Sequence, residues 1–144
     1  MFQAKESNHP DAGDGLERAD LFAEQTIVVS PELTAKHFGS GTVDVYATPA
    51  MISLMESAAL AAIEPRLKEG ETTVGVYIDV RHLAATPVGG EVKARAEVTA
   101  VDGRKITFSV HAWDGHELIG EGTHVRMIID RDRFIRRVRS KTAP

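Results

Sequence analysis

The stretch TPAMISLMESAALAAI, Thr48 to Ile63, decides how the rest of the chain is read. It begins like a helix. Thr48 has the hydroxyl of an N-cap, able to accept a hydrogen bond from a free backbone N–H of the first turn. Pro49 follows at the first helical position, where its missing N–H costs nothing. Glu64-Pro65 closes the segment, because the residue before a proline is pushed out of the α region. Between these signals apolar residues cover nearly the whole circumference, the pattern of a helix buried on all sides. The stretch is shorter than the about 20 apolar residues needed to cross a bilayer. Its only charge is Glu56. A carboxylate on a buried helix is costly unless it is paired or hydrogen-bonded, so Glu56 is the first candidate functional group.

Composition narrows what such a helix can serve. The chain has 144 residues, 42% hydrophobic and 26% charged, which fits one ordinary globular domain. It has no cysteine, which rules out disulfides, thiolate metal sites and cysteine nucleophiles and fits a cytoplasmic protein. A net charge of −4 gives no electrostatic footprint for nucleic acid. The N-terminus lacks the apolar core of a signal peptide, and no segment is long and apolar enough for a membrane span.

Working outward from the helix, residues 1–18 are polar and read as a leader, leaving 19–144 as a single domain. Leu21 to Val29 reads as a strand ended by Pro31, and Leu33 to Tyr46 as a connection. After a turn at Pro65 to Thr72 the apolar period changes to two. Val74, Val76, Ile78 and Val80 alternate with polar or small residues. So do Val92, Ala94, Ala96 and Val98, and then Ile106, Phe108, Val110 and Ala112. Asp102-Gly103 and Asp114-Gly115 mark tight hairpins. Leu118 to Ile129 reads as a last strand, with Gly120 and Gly122 as bulge or close-approach positions. Asp132 is positioned to cap a short basic C-terminal helix. Short turns force antiparallel neighbours. The expectation is an α+β hotdog fold, a five-stranded antiparallel sheet wrapped around a long central apolar helix. Its open edges call for a second copy.

Parity then points at a site. If the strand from Val74 runs without a bulge, His82 falls on the face packed against the helix, the layer that carries Glu56. A Glu–His contact in an apolar setting shifts both pKa values and suits acid–base work. A structural ion pair explains the same pattern. Thr48 reads as a plain N-cap or as a hydroxyl that orients a carbonyl or water at the helix start. Gly75 reads as a strand glycine or as a place where a ligand approaches the backbone. Arg126 reads as a surface charge. The remaining histidines, His124 among them, show no metal-ligand spacing. The basic tail from Arg131 to Lys141 reads as a solvated helix face, or as a holder of phosphates in a nucleotide-bearing substrate.

Three runs, ATPAMISLMESAALAAI, VGVYIDVRHLAATPVG and VDGRKITFSVHAWDGHELIGEGTHVR, resemble the fluoroacetyl-CoA thioesterase-like branch of the hotdog superfamily. The resemblance runs from about Thr26 to the end of the chain. It rests on the Thr48–Glu56 spacing, the H-x-A-A-T-P turn at His82 and the G-x-G-T-H-x-R segment at Gly120 to Arg126. It implies an acyl-CoA thioesterase that is a homodimer with sites near the subunit interface. Thr48, Glu56 and His82 would then be catalytic, with Gly75 and Arg126 at the substrate, and neither metal nor cofactor would be required. In the fluoroacetyl-specific member a longer connection carries phenylalanines that lid the acyl group. Here HFGSGTVDVY offers only Phe38 and Tyr46, which implies a small- or medium-chain acyl substrate instead. A hotdog hydratase or dehydratase, and a non-catalytic acyl-CoA-binding module, are the alternatives.

Overall fold

The computed structural model describes residues 21–144; the expected leader, residues 1–18, lies outside the described residues. The elements follow in the order β1 (Phe22–Val28), a 3-10 turn (Pro31–Leu33), α1 (Ala35–Phe38), α2 (Thr48–Ile63), a 3-10 turn (Glu64–Arg66), β2 (Glu71–His82), β3 (Glu91–Asp102), β4 (Lys105–Trp113), β5 (Leu118–Asp130) and α3 (Arg131–Arg139). The strands form one antiparallel sheet in the order β1-β3-β4-β5-β2. The sheet curls around α2, so the expected α+β hotdog arrangement is what the chain builds. β1 and β2 are its two edges.

Small residues let the helix sit close to the sheet. Ala94, Ala96 and Ala112 are fully buried on the inner face. A Cβ at Gly120 would lie 2.5 Å from the Met51 sulfur, and one at Gly122 would lie 2.6 Å from Val80 Cα. Both glycines therefore mark close approach. Met51, Met55, Ala58, Ala59 and Ile63 have no exposed surface. Burial is nevertheless one-sided. Ser53 and Ser57 are exposed, Leu60 is 38% exposed, and Glu56 lies on the same stripe. A single curled sheet cannot cover every side of a helix.

Several local expectations are corrected. The N-cap of α2 is Ala47, not Thr48, and Pro49 is the second helical residue. The Thr48 hydroxyl is used on His82 instead of on the helix backbone. The connection before α2 holds a single helical turn, α1, capped by Thr34 and closed by Gly39 at φ 78°. The turn between β3 and β4 centres on Gly103-Arg104 with Asp102 paired to Lys105, and Gly103 supplies the positive φ of 61°. The second hairpin is longer than expected. Asp114 Oδ1 accepts from the N–H groups of His116 (2.8 Å) and Glu117 (3.0 Å) and shapes residues 114–117. The cap of α3 is Asp130, which accepts from the Arg133 N–H at 3.0 Å, and not Asp132, because the helix starts directly from the end of β5.

The largest correction concerns β2. Its alternation is broken by a bulge between Gly75 and Tyr77. A bulge adds one residue to one strand and so reverses which parity faces inward. Before it, Thr73 is buried and Gly75 lies against Glu56. After it, Val80 packs on the core and His82 reaches Thr48. Val74 and Val76, expected on the helix face with His82, fall on the other side, and Val76 is 55% exposed.

Candidate active site

Two polar clusters lie between α2 and the inner face of β2 and β5. The first joins the start of α2 to the end of β2. His82 pairs in register with Gly120, so no side chain stands opposite its ring. The imidazole leans to the helix start, where Thr48 Oγ1 lies 2.7 Å from Nδ1. A hydroxyl both donates and accepts, so this contact suits either protonation state of the ring. Nε2 is sealed from water and has no hydrogen-bond partner among the described residues. Burial pushes the His82 pKa below its ordinary 6.5, with a backbone contact at Ala84 offsetting part of the shift. A cleft of about 490 Å³ opens beside this pair, walled by Ala35, Val45, Tyr46, Leu83 and Ala84. Tyr46 is no lid. Its hydroxyl donates to the Ala50 carbonyl (3.2 Å), and burial raises its pKa to about 12. Phe38 is 46% exposed.

The second cluster surrounds Glu56. Eight residues beyond Thr48, Glu56 is two turns, about 12 Å, further along α2. Its Oε2 lies 4.0 Å from both His124 Nε2 and Arg126 Nη1. A Cβ on Gly75 would come within 2.8 Å of that same oxygen, so the missing side chain makes room for the carboxylate. Arg126 is held firmly. Nε donates to Thr73 Oγ1 (2.7 Å), Nη2 to the Thr73 carbonyl (3.1 Å), and Nη1 approaches His124 Nε2 at 3.2 Å. A guanidinium only donates, so His124 Nε2 accepts. His124 Nδ1 then carries the proton and donates to the Tyr77 carbonyl at the bulge (2.8 Å). The ring is 1% exposed and stacks on Phe108 at 5.9 Å. Burial lowers the His124 pKa, the neighbouring Arg126 lowers it further, and the Tyr77 and Glu56 oxygens oppose both. Burial also lowers the Arg126 pKa, against the pull of Glu56 and Glu64.

The fold thus brings Thr48 to His82, and Glu56 to Gly75 and Arg126, but Glu56 forms neither hydrogen bond nor ion pair with His82. The histidine beside Glu56 is His124, which sequence reasoning passed over. A signal for it existed. Gly120, Gly122, His124, Arg126 and Ile128 share one parity, so the inward glycines carry His124 and Arg126 inward with them. Arg126, read as a surface charge, is 8% exposed.

The family model FlK, fluoroacetyl-CoA-specific thioesterase, matches residues 29–132. The chain belongs to this family. It is a hotdog-fold thioester hydrolase. A fluoroacetyl-CoA thioesterase of Streptantibioticus cattleyicolor is 38% identical over 135 residues, 90% of this chain and 96% of that protein. A solved structure of the fluoroacetyl-CoA thioesterase FlK superposes with a TM-score of 0.83 at 38% identity, covering 88% of this chain and 98% of the other. A thioesterase superfamily member from Thermus thermophilus superposes with a TM-score of 0.78 at 32% identity, over 86% and 94% of the two chains. Among the described residues no helix is long and apolar enough to cross a membrane.

Proposed function

We propose that this protein hydrolyses small- or medium-chain acyl-CoA to the free acid and the CoA thiol, with Thr48, Glu56 and His82 as its catalytic residues. The observation that carries the reading is the unpartnered Nε2 of His82. A buried polar atom without a partner costs about 1–3 kcal/mol, and the residue that carries it lines, with Thr48, a cleft that a thioester can fill. With Thr48 holding Nδ1, Nε2 is the ring atom left to exchange a proton with substrate. α2 starts at the same cleft, and the partial positive charge of its amino end favours an oxygen that becomes negative during attack.

Hydrolysis follows either of two routes. In one, Glu56 takes a proton from water as the oxygen adds to the carbonyl carbon. In the other, a Glu56 oxygen adds directly and water later cleaves the anhydride. In both, the C–S bond breaks and His82 delivers a proton to the departing sulfur. Arg126 and His124 fix the Glu56 carboxylate, Gly75 gives it space, and Arg126 is the cationic support at the substrate. The apolar walls of the cleft take the acyl chain. The cysteine-free composition supports the cytoplasm as the compartment.

A homodimer completes the site. β2 is an unpaired edge of the sheet with Val76, Tyr77 and Ile78 between 37% and 55% exposed, next to the uncovered stripe of α2. Antiparallel pairing of two β2 edges about an axis close to Ile78 sets His82 of one copy beside Gly75 of the other. The Thr48–His82 pair then faces the Glu56 cluster of a second copy. This pairing accounts for the separation of Glu56 from His82 within one chain.

The test is thiol release from acyl-CoAs ranging from acetyl to long-chain and aromatic, with product analysis, for wild type, Glu56→Gln and His82→Ala. Turnover by wild type and its loss in both folded variants supports the reading, and mixing the two inactive variants should then restore part of the activity. Saturable binding with no turnover, or a hydrated product with the thioester intact, would overturn it.

A further inference from the structure

Six of the 17 Lys and Arg residues fall between Arg131 and Lys141, where Asp132 is the only acid, in a chain whose net charge is −4. This concentration of cations is α3 and its exit. Arg131 lies 3.8 Å from Glu64. Arg133, Arg136, Arg137 and Arg139 are all exposed, and none has a side-chain partner among the described residues. Cations in a last helical turn are explained by the helix dipole. Arg133 is not, because it stands in the first turn, where the dipole opposes a positive charge. Arg133 and Arg137 are also an i, i+4 pair of like charges, which destabilises an isolated helix.

These two arginines and Phe134 form one wall of a groove of about 460 Å³, and Glu71, Arg104 and Asp130 line the rest. Both acids of the groove are already engaged. Glu71 Oε2 is held by Arg104 at 3.0 Å, and Asp130 caps α3. The free charge in the groove is therefore positive, and it adjoins a ring that is 37% exposed. Paired guanidinium groups beside an accessible aromatic face suit phosphates attached to a heteroaromatic base. The groove lies toward the carboxyl end of the helix that carries Glu56. Arg131, at the start of α3, approaches Glu64 at 3.8 Å, and Glu64 is eight residues or about 12 Å along α2 from Glu56, so a pantetheine arm would run from Glu56 past the end of α2 to the groove.

We propose that the groove between α3 and the ends of β2 and β5 binds the phosphate-bearing nucleotide end of coenzyme A, with Arg133 and Arg137 on the phosphates and Phe134 against the adenine. The proposal rests on the acyl-CoA hydrolase reading above and adds the position of the nucleotide. An acidic carrier protein on the same helix is the competing occupant. The CoA nucleotide is favoured because the two free cations and the ring share one groove of small-molecule size.

The experiment compares hydrolysis of one acyl group on CoA, on acyl carrier protein and on pantetheine, which lacks the nucleotide, by wild type, Arg133→Ala/Arg137→Ala and Phe134→Ala. The double variant should raise KM for acyl-CoA at least about tenfold and weaken its salt dependence. Its kcat should stay level, and its rates on acyl-pantetheine should match those of wild type, which also reports that the variant is folded. Phe134→Ala should raise the same KM by a smaller factor. An unchanged KM for acyl-CoA overturns the nucleotide site while leaving the hydrolase intact. Loss confined to acyl carrier protein overturns it in favour of the carrier. Failure of wild type to hydrolyse either substrate overturns the hydrolase reading itself.

Discussion

His82 and His124 sit on neighbouring strands, face the same helix and are both depressed in pKa by burial, yet they are held in opposite ways. His124 has both ring nitrogens occupied, Nδ1 by the Tyr77 carbonyl and Nε2 by Arg126. His82 has one nitrogen on a hydroxyl and the other unpartnered. A ring with both nitrogens engaged holds its neighbours in place. A ring with one nitrogen free can pass a proton. Under the proposed mechanism this contrast, and not burial or pKa, which the two rings share, is what assigns proton transfer to His82 and positioning to His124.

The largest effect that tests the contrast is on turnover. His82→Ala and Glu56→Gln should each lower kcat/KM by about 10²–10⁴-fold, measured by thiol release with folding followed by circular dichroism. A His124→Leu variant with an equal loss of kcat, unchanged stability and a shifted pH profile would erase the distinction. Next comes stability. Arg126→Leu strands Thr73 and His124 in a buried site, and urea unfolding should show a loss of about 1–3 kcal/mol. Activity should fall with it, because the Glu56 carboxylate loses its support.

A smaller effect sharpens the comparison from the other side. Thr48→Val removes the hydroxyl that lies 2.7 Å from His82 Nδ1, a contact worth about 0.5–1.5 kcal/mol. The expected result is roughly a tenfold or smaller fall in kcat and a displaced acid limb of the pH–rate profile, with the thermal midpoint lowered by no more than a few degrees. The weakest effect is the pH dependence of stability. Both histidines bind protons less readily folded than unfolded, so stability rises with pH wherever the unfolded chain holds more protons. Their contribution is fully present above the unfolded value near 6.5 and is lost as pH falls from there through the lowered folded values. Thermal unfolding between about pH 5 and pH 8 should show this slope, reduced in His124→Gln.

A small change in packing would probe why the clusters sit where they do. Gly120→Val places a branched side chain against the Met51 sulfur and should destabilise by about 1–3 kcal/mol in urea unfolding. It should disturb His82, its register partner, more than His124.

The sequence by itself determined the frame. The apolar helix from Thr48 to Ile63, the alternating strands and the turn residues follow from local periodicity and backbone restriction, and these depend only on near neighbours in the chain. Glu56 was legible as the one charge of an apolar helix and Thr48 as a hydroxyl at its start, whereas His82 was assigned to the helix face by an unbroken parity that the bulge in β2 removes. The tertiary structure alone decided which of them meet. One bulged residue at Val76 changed the parity of β2 and turned Gly75 toward Glu56. The pairing of β2 with β5 placed His124 and Arg126, far off in sequence, beside a helix carboxylate. It also moved the Thr48 hydroxyl from the helix backbone to a ring 34 residues away. Such contacts depend on strand register and on what lies opposite each side chain, and neither is a property of a short stretch of sequence.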